Sequence, residues 1–597
     1  MRQTLDFLLN DWLGVHELTL RERFAEHSGE TFAAVLDTCE KIARDKFAPI
    51  NRLTDIEEPR FDGERVHLPA ATKAATDAYV ASGMLAAAQD YAQGGMQLPC
   101  VIEMAANAFF SKANVAIGAY AMLTAGNANL ITAHGSPKQR EVFAAAEFEG
   151  RWFGTMCLSE PQAGSSLSDI TTRAEPEFAD DPLGQRFRLW GNKMWISAGE
   201  HELSVNIIHL VLAKIPGPDG KLIAGARGIS LFIVPKMMVD AEGRLTGERN
   251  DVRLAGLNHK LGFRGTSNCL LNFGEAGAGA VGYLVGQPGE GLKCMFHMMN
   301  EARIGVGLGA AMLGYAGYEA SLAYARQRPQ GRAIGPAGKD AAQPQRPIIE
   351  HADVKRMLLA QKSYVEGGLA LALLCARLVD EQHSGAAEAA KEAKLVLEVL
   401  IPIVKSWPSE WCLEANSLAI QVLGGYGYTR DFPVEQYWRD NRLNMIHEGT
   451  HGIHGLDLLG RKVVMNGGEA LLALAARINF TVETALQQPE LAELGNALAG
   501  ALATVGRATK NAWGSGNAEE ALANATPYLQ AFGHMVLAWV WLDVALKAGQ
   551  GTTSDFAQGK QAACRYFYAY ELPKIDAWLG VVGRRESLCK DMRNEWF

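Results

Sequence analysis

Apolar residues recur at three- and four-residue spacing from the first residue to about 150, as in TFAAVLDTCEKIARDKFAPI and PCVIEMAANAFFSKANVAIGAYAMLTAG, and this spacing predicts helices. The opening MRQTLDFLLNDWLGV carries Asp6 and Asp11 among its apolar positions, so it reads as an amphipathic helix and not as an export signal. Between about 155 and 285 the texture changes. FRLWGNKMWIS, NIIHLVLAKI, GISLFIVP and SNCLLNF are short, rich in β-branched and aromatic residues, and set between Gly, Pro and Asp turns, which predicts a small antiparallel sheet domain. Helical spacing returns from Gly291 in one long predicted helix reaching Arg328, followed by a Pro- and Gly-rich loop from Pro329 to Pro347. His351 to Gln382 and Ala390 to Gly425 then read as two antiparallel helices, the second bent or broken near Pro402 and Pro408. A last helical block fills 470–597. The expected fold is mainly α with a small central β domain: an N-terminal helical domain (1–155), a middle β domain (156–288), a helical bundle (289–468) and an additional C-terminal helical domain (469–597).

At 597 residues the chain outgrows a single hydrophobic core, and its 48% hydrophobic and 21% charged residues are ordinary for packed domains. The formal net charge of -9 argues against a nucleic-acid footprint, which needs clustered Lys and Arg. In the tail, the basic residues of RYFYAYELPK and GRRESLCKDMR alternate with acids and read as solvated helix faces. Nine cysteines, an odd number without a Cys-x-x-Cys pair, predict reduced thiols and a cytoplasmic location. Ile304 to Tyr318 is nearly uncharged but only about 15 residues long, so a buried, closely packed helix is expected there and no membrane span.

Two short motifs suggest chemistry that their contexts oppose. GAGAVG at Gly277 to Gly282 matches the dinucleotide pattern, yet the following YLVGQPGEG reads as strand and turn, whereas a bound pyrophosphate needs a helix N-terminus. HEGTH at His447 to His451 matches a zinc-protease helix, but Gly449 and Thr450 are weak helix formers and His454 stands where the longer pattern wants Gly. No metal is expected.

A longer pattern absorbs the second motif. QVLGGYGYTRDFPVEQYWRDNRLNMIHEGT, from Gln421 to Thr450, presents Gln-x-x-Gly-Gly-x-Gly, a Pro, an Arg-Asp pair and Glu-Gly-Thr in order. MCLSEPQAGSSLSD (Met156 to Asp169), NKMWISAGEH, and Arg303 and Arg328 on the long helix accompany it. Together these resemble the acyl-CoA dehydrogenase family over roughly Ala105 to Lys462. The length and tail are similar to a longer branch that includes 3-methylmercaptopropionyl-CoA dehydrogenases and broad bacterial fatty acyl-CoA dehydrogenases. The resemblance implies that family's helical, middle β-barrel and four-helix-bundle domains.

It also implies FAD as cofactor, an acyl-CoA substrate and loss of an α-proton and a β-hydride, which requires a base, a flavin and donors to the thioester carbonyl. Glu448 takes the place of the base, with its own backbone N–H and a flavin hydroxyl on the carbonyl. Gly449 would lie against substrate, and Thr450 would meet the adenosine half of the flavin. Met156, Leu158 and Ser159 form the flavin loop, Ser165 would reach CoA or flavin phosphates, and Trp195 and Ser197 would flank the isoalloxazine. Arg328, Gln421, Gly424 and Gly425 match positions that reach the flavin of a neighbouring subunit, implying a homo-oligomer, with a dimer favoured. Arg303 matches an arginine near CoA. Ser159 and Ser197 stand where Thr is usual, Ser166 replaces an Asp, no aromatic follows Arg328, and His447 and His451 replace a Tyr and an Asn or Gln. Glu301, next to the long-helix position that carries the base in one branch, is a rival to Glu448. The expected electron acceptor is an electron-transfer flavoprotein, the expected substrate a medium- or long-chain acyl-CoA. 3-Methylmercaptopropionyl-CoA, an acyl-CoA oxidase activity and a flavin-bearing DNA-binding relative are the alternatives.

Overall fold

In the computed structural model, which describes residues 1–336, 338–549 and 554–597, the β-branched runs between 153 and 285 supply the eight strands of one sheet. They are β1 (Phe153–Cys157), β2 (Arg173–Phe178), β3 (Arg186–Ser197), β4 (Ile207–Lys214), β5 (Ile229–Pro235), β6 (Val252–Leu257), β7 (Asn268–Phe273) and β8 (Ala280–Val285). One sheet runs in the order β6-β7-β3-β8-β5-β4-β1, with β2 pairing β3 and β4. β7 alternates buried and part-exposed residues, the mark of a strand with one covered face, whereas β4, β5 and β8 are buried throughout and therefore read as unbroken apolar runs. The inward side chains, among them Phe187, Val211, Phe232, Leu271 and Phe273, form the core of this region. The antiparallel expectation needs correction at β4: β2 meets it in parallel at Arg173 and Lys214, and β1 pairs it in parallel, Phe153 opposite Ile207. The buried Asn127 amide joins that pair, donating to Thr155 O at 3.0 Å and Ile208 O at 2.8 Å. The GAGAVG motif feeds directly into β8, so no helix N-terminus is offered to a pyrophosphate.

These strands belong to one of two compact units, built from Glu30–Leu98 and Phe109–Ala302; the other comprises Met1–Gly29, Pro99–Ala108 and Arg303–Phe597. The second unit is helical. Its elements include α1 (Gly291–Gln327, from Arg303 onward), α2 (Ala352–Ser384), α3 (Ala387–Leu423), α4 (Val434–Asn441) and α5 (His451–Asp457), then α6 (Glu469–Leu486), α7 (Ala492–Ala512), α8 (Ala525–Ala548), α9 (Asp555–Tyr566) and α10 (Lys574–Gly583). α3 runs unbroken through Pro402 and Pro408, so of the two alternatives, bent or broken, the break does not occur. Each proline removes an N–H and frees the carbonyl four residues earlier. The carbonyl freed by Pro408 belongs to Val404, and there Gly307 of α1 approaches so closely that a Cβ would lie 1.9 Å from the oxygen. A Cβ at Gly317 would lie 2.6 Å from Asn416 Nδ2, so the small residues between Ile304 and Tyr318 do permit close helix packing.

Among the described residues, the helix apolar enough to cross a membrane lies elsewhere. α8 is long and apolar enough to cross a membrane, yet most of its side chains are buried within the helical unit, with Trp541 Nε1 donating to Ser363 O at 3.0 Å. The first residues also pack here: Trp12 Nε1 donates to Asp543 at 2.8 Å, and Lys560 Nζ donates to Thr4 and to Glu366, both at 2.9 Å. The nine cysteines are free thiols.

Candidate active site

The segment from α4 to α5 is held by a line of buried amides. Asn416 donates to Leu313 O (2.9 Å), Asn441 to Asn416 Oδ1 (2.7 Å) and Asn444 to Asn441 Oδ1 (2.9 Å). Asn444 Oδ1 then accepts from His447 Nε2 at 2.9 Å. At Glu448 the backbone turns left-handed, with φ +53°, and Gly449 follows at +96°. A non-glycine residue in this region is uncommon and persists only when its surroundings enforce it. Two donors do so here: His454 Nε2 bonds Glu448 O at 3.0 Å, and Lys405 Nζ bonds Gly449 O at 2.5 Å. A Cβ at Gly449 would lie 2.7 Å from His454 Nε2, so both the conformation and the space require glycine. Thr450 caps α5, its hydroxyl oxygen accepting from Ile453 N at 3.4 Å, which leaves its O–H proton available to a ligand.

The Glu448 carboxylate accepts no hydrogen bond from the described residues. Burial pushes its carboxyl above the usual range while Arg303 and Lys405 oppose that rise. Lys405 is wholly buried, and desolvation brings its ammonium down to about 7 despite the attraction of Glu448. Burial also keeps the neighbouring imidazoles neutral: His447 and His454 fall to about 3 and His451 to about 4. The left-handed turn removes His447 and His451 from any shared helical face, and they engage Asn444 and Glu410 respectively, so the zinc-protease arrangement does not form. Glu301, the rival base, accepts from Asn129 Nδ2 at 3.3 Å in the sheet unit.

Further along the helical unit, Arg328, Gln421, Gly424 and Gly425 line one cleft of about 830 Å³ together with Tyr426, whose ring lies 5.8 Å from the Arg328 guanidinium carbon. Gly424 has φ +63°, and a Cβ at Gly424 or Gly425 would meet nothing within 4 Å. The backbone there faces open space.

In the sheet unit, the loop after β1 is strapped to β3. Met194 N–H donates to Ser159 O at 3.0 Å, and the buried Lys193 donates to Leu158 O and to Glu160 Oε1, both at 2.9 Å. Glu160 also accepts from Thr171 N (2.7 Å), Thr172 N (3.0 Å) and Thr172 Oγ1 (2.5 Å). Burial pushes the Glu160 carboxyl up, but Lys193 and these donors hold it at about 2. The strap brings Leu158 and Ser159 beside Trp195, which has φ +65° and an exposed indole (59%). Ser197 Oγ accepts from Asn268 Nδ2 at 3.3 Å, Met156 is buried in β1, and Ser165 lies exposed on the loop.

A 3-methylmercaptopropionyl-CoA dehydrogenase of Ruegeria pomeroyi is 35% identical to this chain over 584 residues, covering 95% of the chain and 94% of the relative. The chain belongs to the acyl-CoA dehydrogenase family. Two family models agree: "Acyl-CoA dehydrogenase, C-terminal domain" matches 337–463, and "Acetyl-CoA dehydrogenase C-terminal like" matches 474–593. The broad-specificity linear acyl-CoA dehydrogenase FadE5 of Mycobacterium tuberculosis is 32% identical over 581 residues, covering 92% of this chain and 93% of its own. The fold is that of an acyl-CoA dehydrogenase from Bacillus anthracis solved in complex with FAD, with a TM-score of 0.74, 19% identity, and coverage of 93% and 88% of the two chains. This acyl-CoA dehydrogenase homologue is therefore an oxidoreductase. Sequence reasoning passed over Lys405, Lys193, Glu160 and Tyr426, and met His454 only as a departure from the zinc-protease pattern. Lys405 had a signal, as the one charge between Leu400 and Ser409.

Proposed function

We propose that this enzyme oxidises a saturated acyl-CoA to the trans-2-enoyl-CoA with FAD as cofactor and Glu448 as the base. The observation that carries this reading is Glu448 itself, a carboxylate free of hydrogen bonds from the described residues, raised by burial and held in a left-handed turn beside two cations. A carboxylate so placed is matched to removing a weakly acidic α-proton. The α C–H bond breaks, the proton passes to Glu448, and the β-hydrogen leaves with its electron pair. The flavin, when bound, supplies the acceptor for that hydride.

The residues present fit FAD. Trp195 offers an open aromatic face beside Ser159 and Ser197, Thr450 keeps a hydroxyl proton to donate, and Arg328 with the open Gly424–Gly425 backbone suits a pyrophosphate approached from outside the chain. That last feature supports a homo-oligomer, with a dimer favoured, in which each copy completes its neighbour's flavin site. The free thiols support a cytoplasmic setting, and an electron-transfer flavoprotein is the acceptor we assign.

For substrate we favour medium or long straight-chain acyl-CoA, on the likeness to the broad-specificity linear enzyme. 3-Methylmercaptopropionyl-CoA is the second reading, favoured by the 35% identical relative of that name. Anaerobic titration with a panel of acyl-CoAs, following flavin bleaching in wild type and Glu448→Gln, tests both. Bleaching lost in Glu448→Gln with flavin retained supports the reaction and ranks substrates; equal bleaching in the two proteins overturns the assignment of the base. Rapid peroxide release on reoxidation in air would instead make the enzyme an oxidase.

A further inference from the structure

Lysine is almost never wholly buried without an anion bonded to it, yet the Lys405 ammonium, fully buried in α3 between two prolines, donates to a neutral carbonyl, that of Gly449. We propose, building on Glu448 as the base, that Lys405 is a positioning residue of the reaction: with His454 it clamps the two carbonyls that follow the reacting carboxylate, and its charge keeps that carboxylate ionised until substrate arrives.

The geometry supports both parts. Glu448 O and Gly449 O are successive acceptors, and their donors come from different helices, His454 on α5 and Lys405 on α3. Rotating the Glu448–Gly449 peptides toward ordinary backbone angles breaks both bonds, so the clamp enforces the left-handed turn that aims the carboxylate and the Glu448 N–H. The charge follows from the neighbours. Facing Lys405 are Arg303 from α1, Glu448, and the imidazoles of His447, His451 and His454; Glu410, on α3, faces His451. The imidazoles are neutral above about pH 5, so between there and about pH 7, where the Lys405 ammonium is still protonated, Lys405 and Arg303 are the cations that act on Glu448, while Glu410 faces His451. Such a pocket stabilises the ionised base, and equally the negative charge that grows on the thioester oxygen as the proton leaves.

The test is the pH dependence of flavin bleaching by a saturating acyl-CoA in wild type, Lys405→Gln and Lys405→Arg, each at matched flavin content. Lys405→Gln keeps a donor for Gly449 O but no charge, so the acid limb of its profile should move up by about one pH unit, with a rate deficit that narrows at high pH. Lys405→Arg should leave the limb where wild type has it, which keeps the proposal open to refutation even where Lys405→Gln does not fold. A limb unmoved in Lys405→Gln, with the rate lowered equally at every pH, would make Lys405 a packing residue and overturn the proposal, as would a limb displaced in Lys405→Arg. Bleaching that survives Glu448→Gln would instead overturn the base itself.

Discussion

Each unit of this chain sets a glutamate beside a buried lysine, and the two pairs are built to opposite ends. In the sheet unit, Glu160 is saturated: Lys193, two backbone N–H groups and two threonine hydroxyls converge on it, and its carboxyl is held at about 2. In the helical unit, Lys405 bonds the backbone beside Glu448 and leaves the carboxylate itself without a described donor, so burial prevails and the carboxyl is pushed up. The first arrangement fixes a loop; the second keeps a base reactive. Low exposure and a lysine nearby are common to both, so neither identifies a catalytic carboxylate. What separates them is whether the oxygens are already satisfied.

The largest effect that would sharpen this contrast is on chemistry. Glu448→Gln should lower the rate of flavin reduction by on the order of 10²–10⁴-fold, read by anaerobic stopped flow, while leaving thermal stability equal or higher because a desolvated carboxylate is removed. A large loss of stability would break the comparison. Next is Glu160→Gln, which strands Lys193 without its anion and should cost about 3–5 kcal/mol in denaturant unfolding; adding Lys193→Met should recover most of that loss. The pH dependence has a definite sign. Glu160 is lowered on folding, so its stabilisation is complete above the ordinary value of 4.5 and is lost as pH falls toward 2, and the gap between wild type and Glu160→Gln should close over that window. Gly449→Ala, with a Cβ 2.7 Å from His454 Nε2 on a left-handed backbone, should cost about 1–3 kcal/mol and slow bleaching, checked by thermal melts and stopped flow. Smallest is Thr450→Ala, which removes the α5 cap and should cost about 1 kcal/mol, with weaker flavin retention on gel filtration.

Much of this was legible in the sequence because it is local. The unbroken apolar runs of β4 and β5, the long helix from Gly291 and the ordered residues from Gln421 to Thr450 each declare themselves within a short window. The parallel pairing of β1 with β4 did not, since register between strands some fifty residues apart is set by the core and not by either strand's own pattern. Pro402 and Pro408 suggested a bend or a break, yet the helix continues through both, and Gly307 packs against the Val404 carbonyl that Pro408 frees. Lys405 stands within an apolar helical run, and only the fold reveals that it meets Gly449, 44 residues further on. Glu160 sits inside a recognisable loop, but the six hydrogen bonds it accepts come from Gln162, Thr171, Thr172 and Lys193, residues that carry no chemical signature of their own.

The contacts of Trp12 with Asp543 and of Thr4 with Lys560 set a timetable for biosynthesis. Their partners are separated by 531 and 556 positions. At ordinary elongation rates a ribosome takes on the order of a minute to cover that distance, so the opening amphipathic segment leaves the tunnel long before its docking surface exists. The sheet unit can close while synthesis continues; the helical unit waits for almost the last codon. In that interval the apolar face of residues 1–12 is a natural client for a chaperone, and slowing translation should raise aggregation of the nascent chain rather than improve its yield.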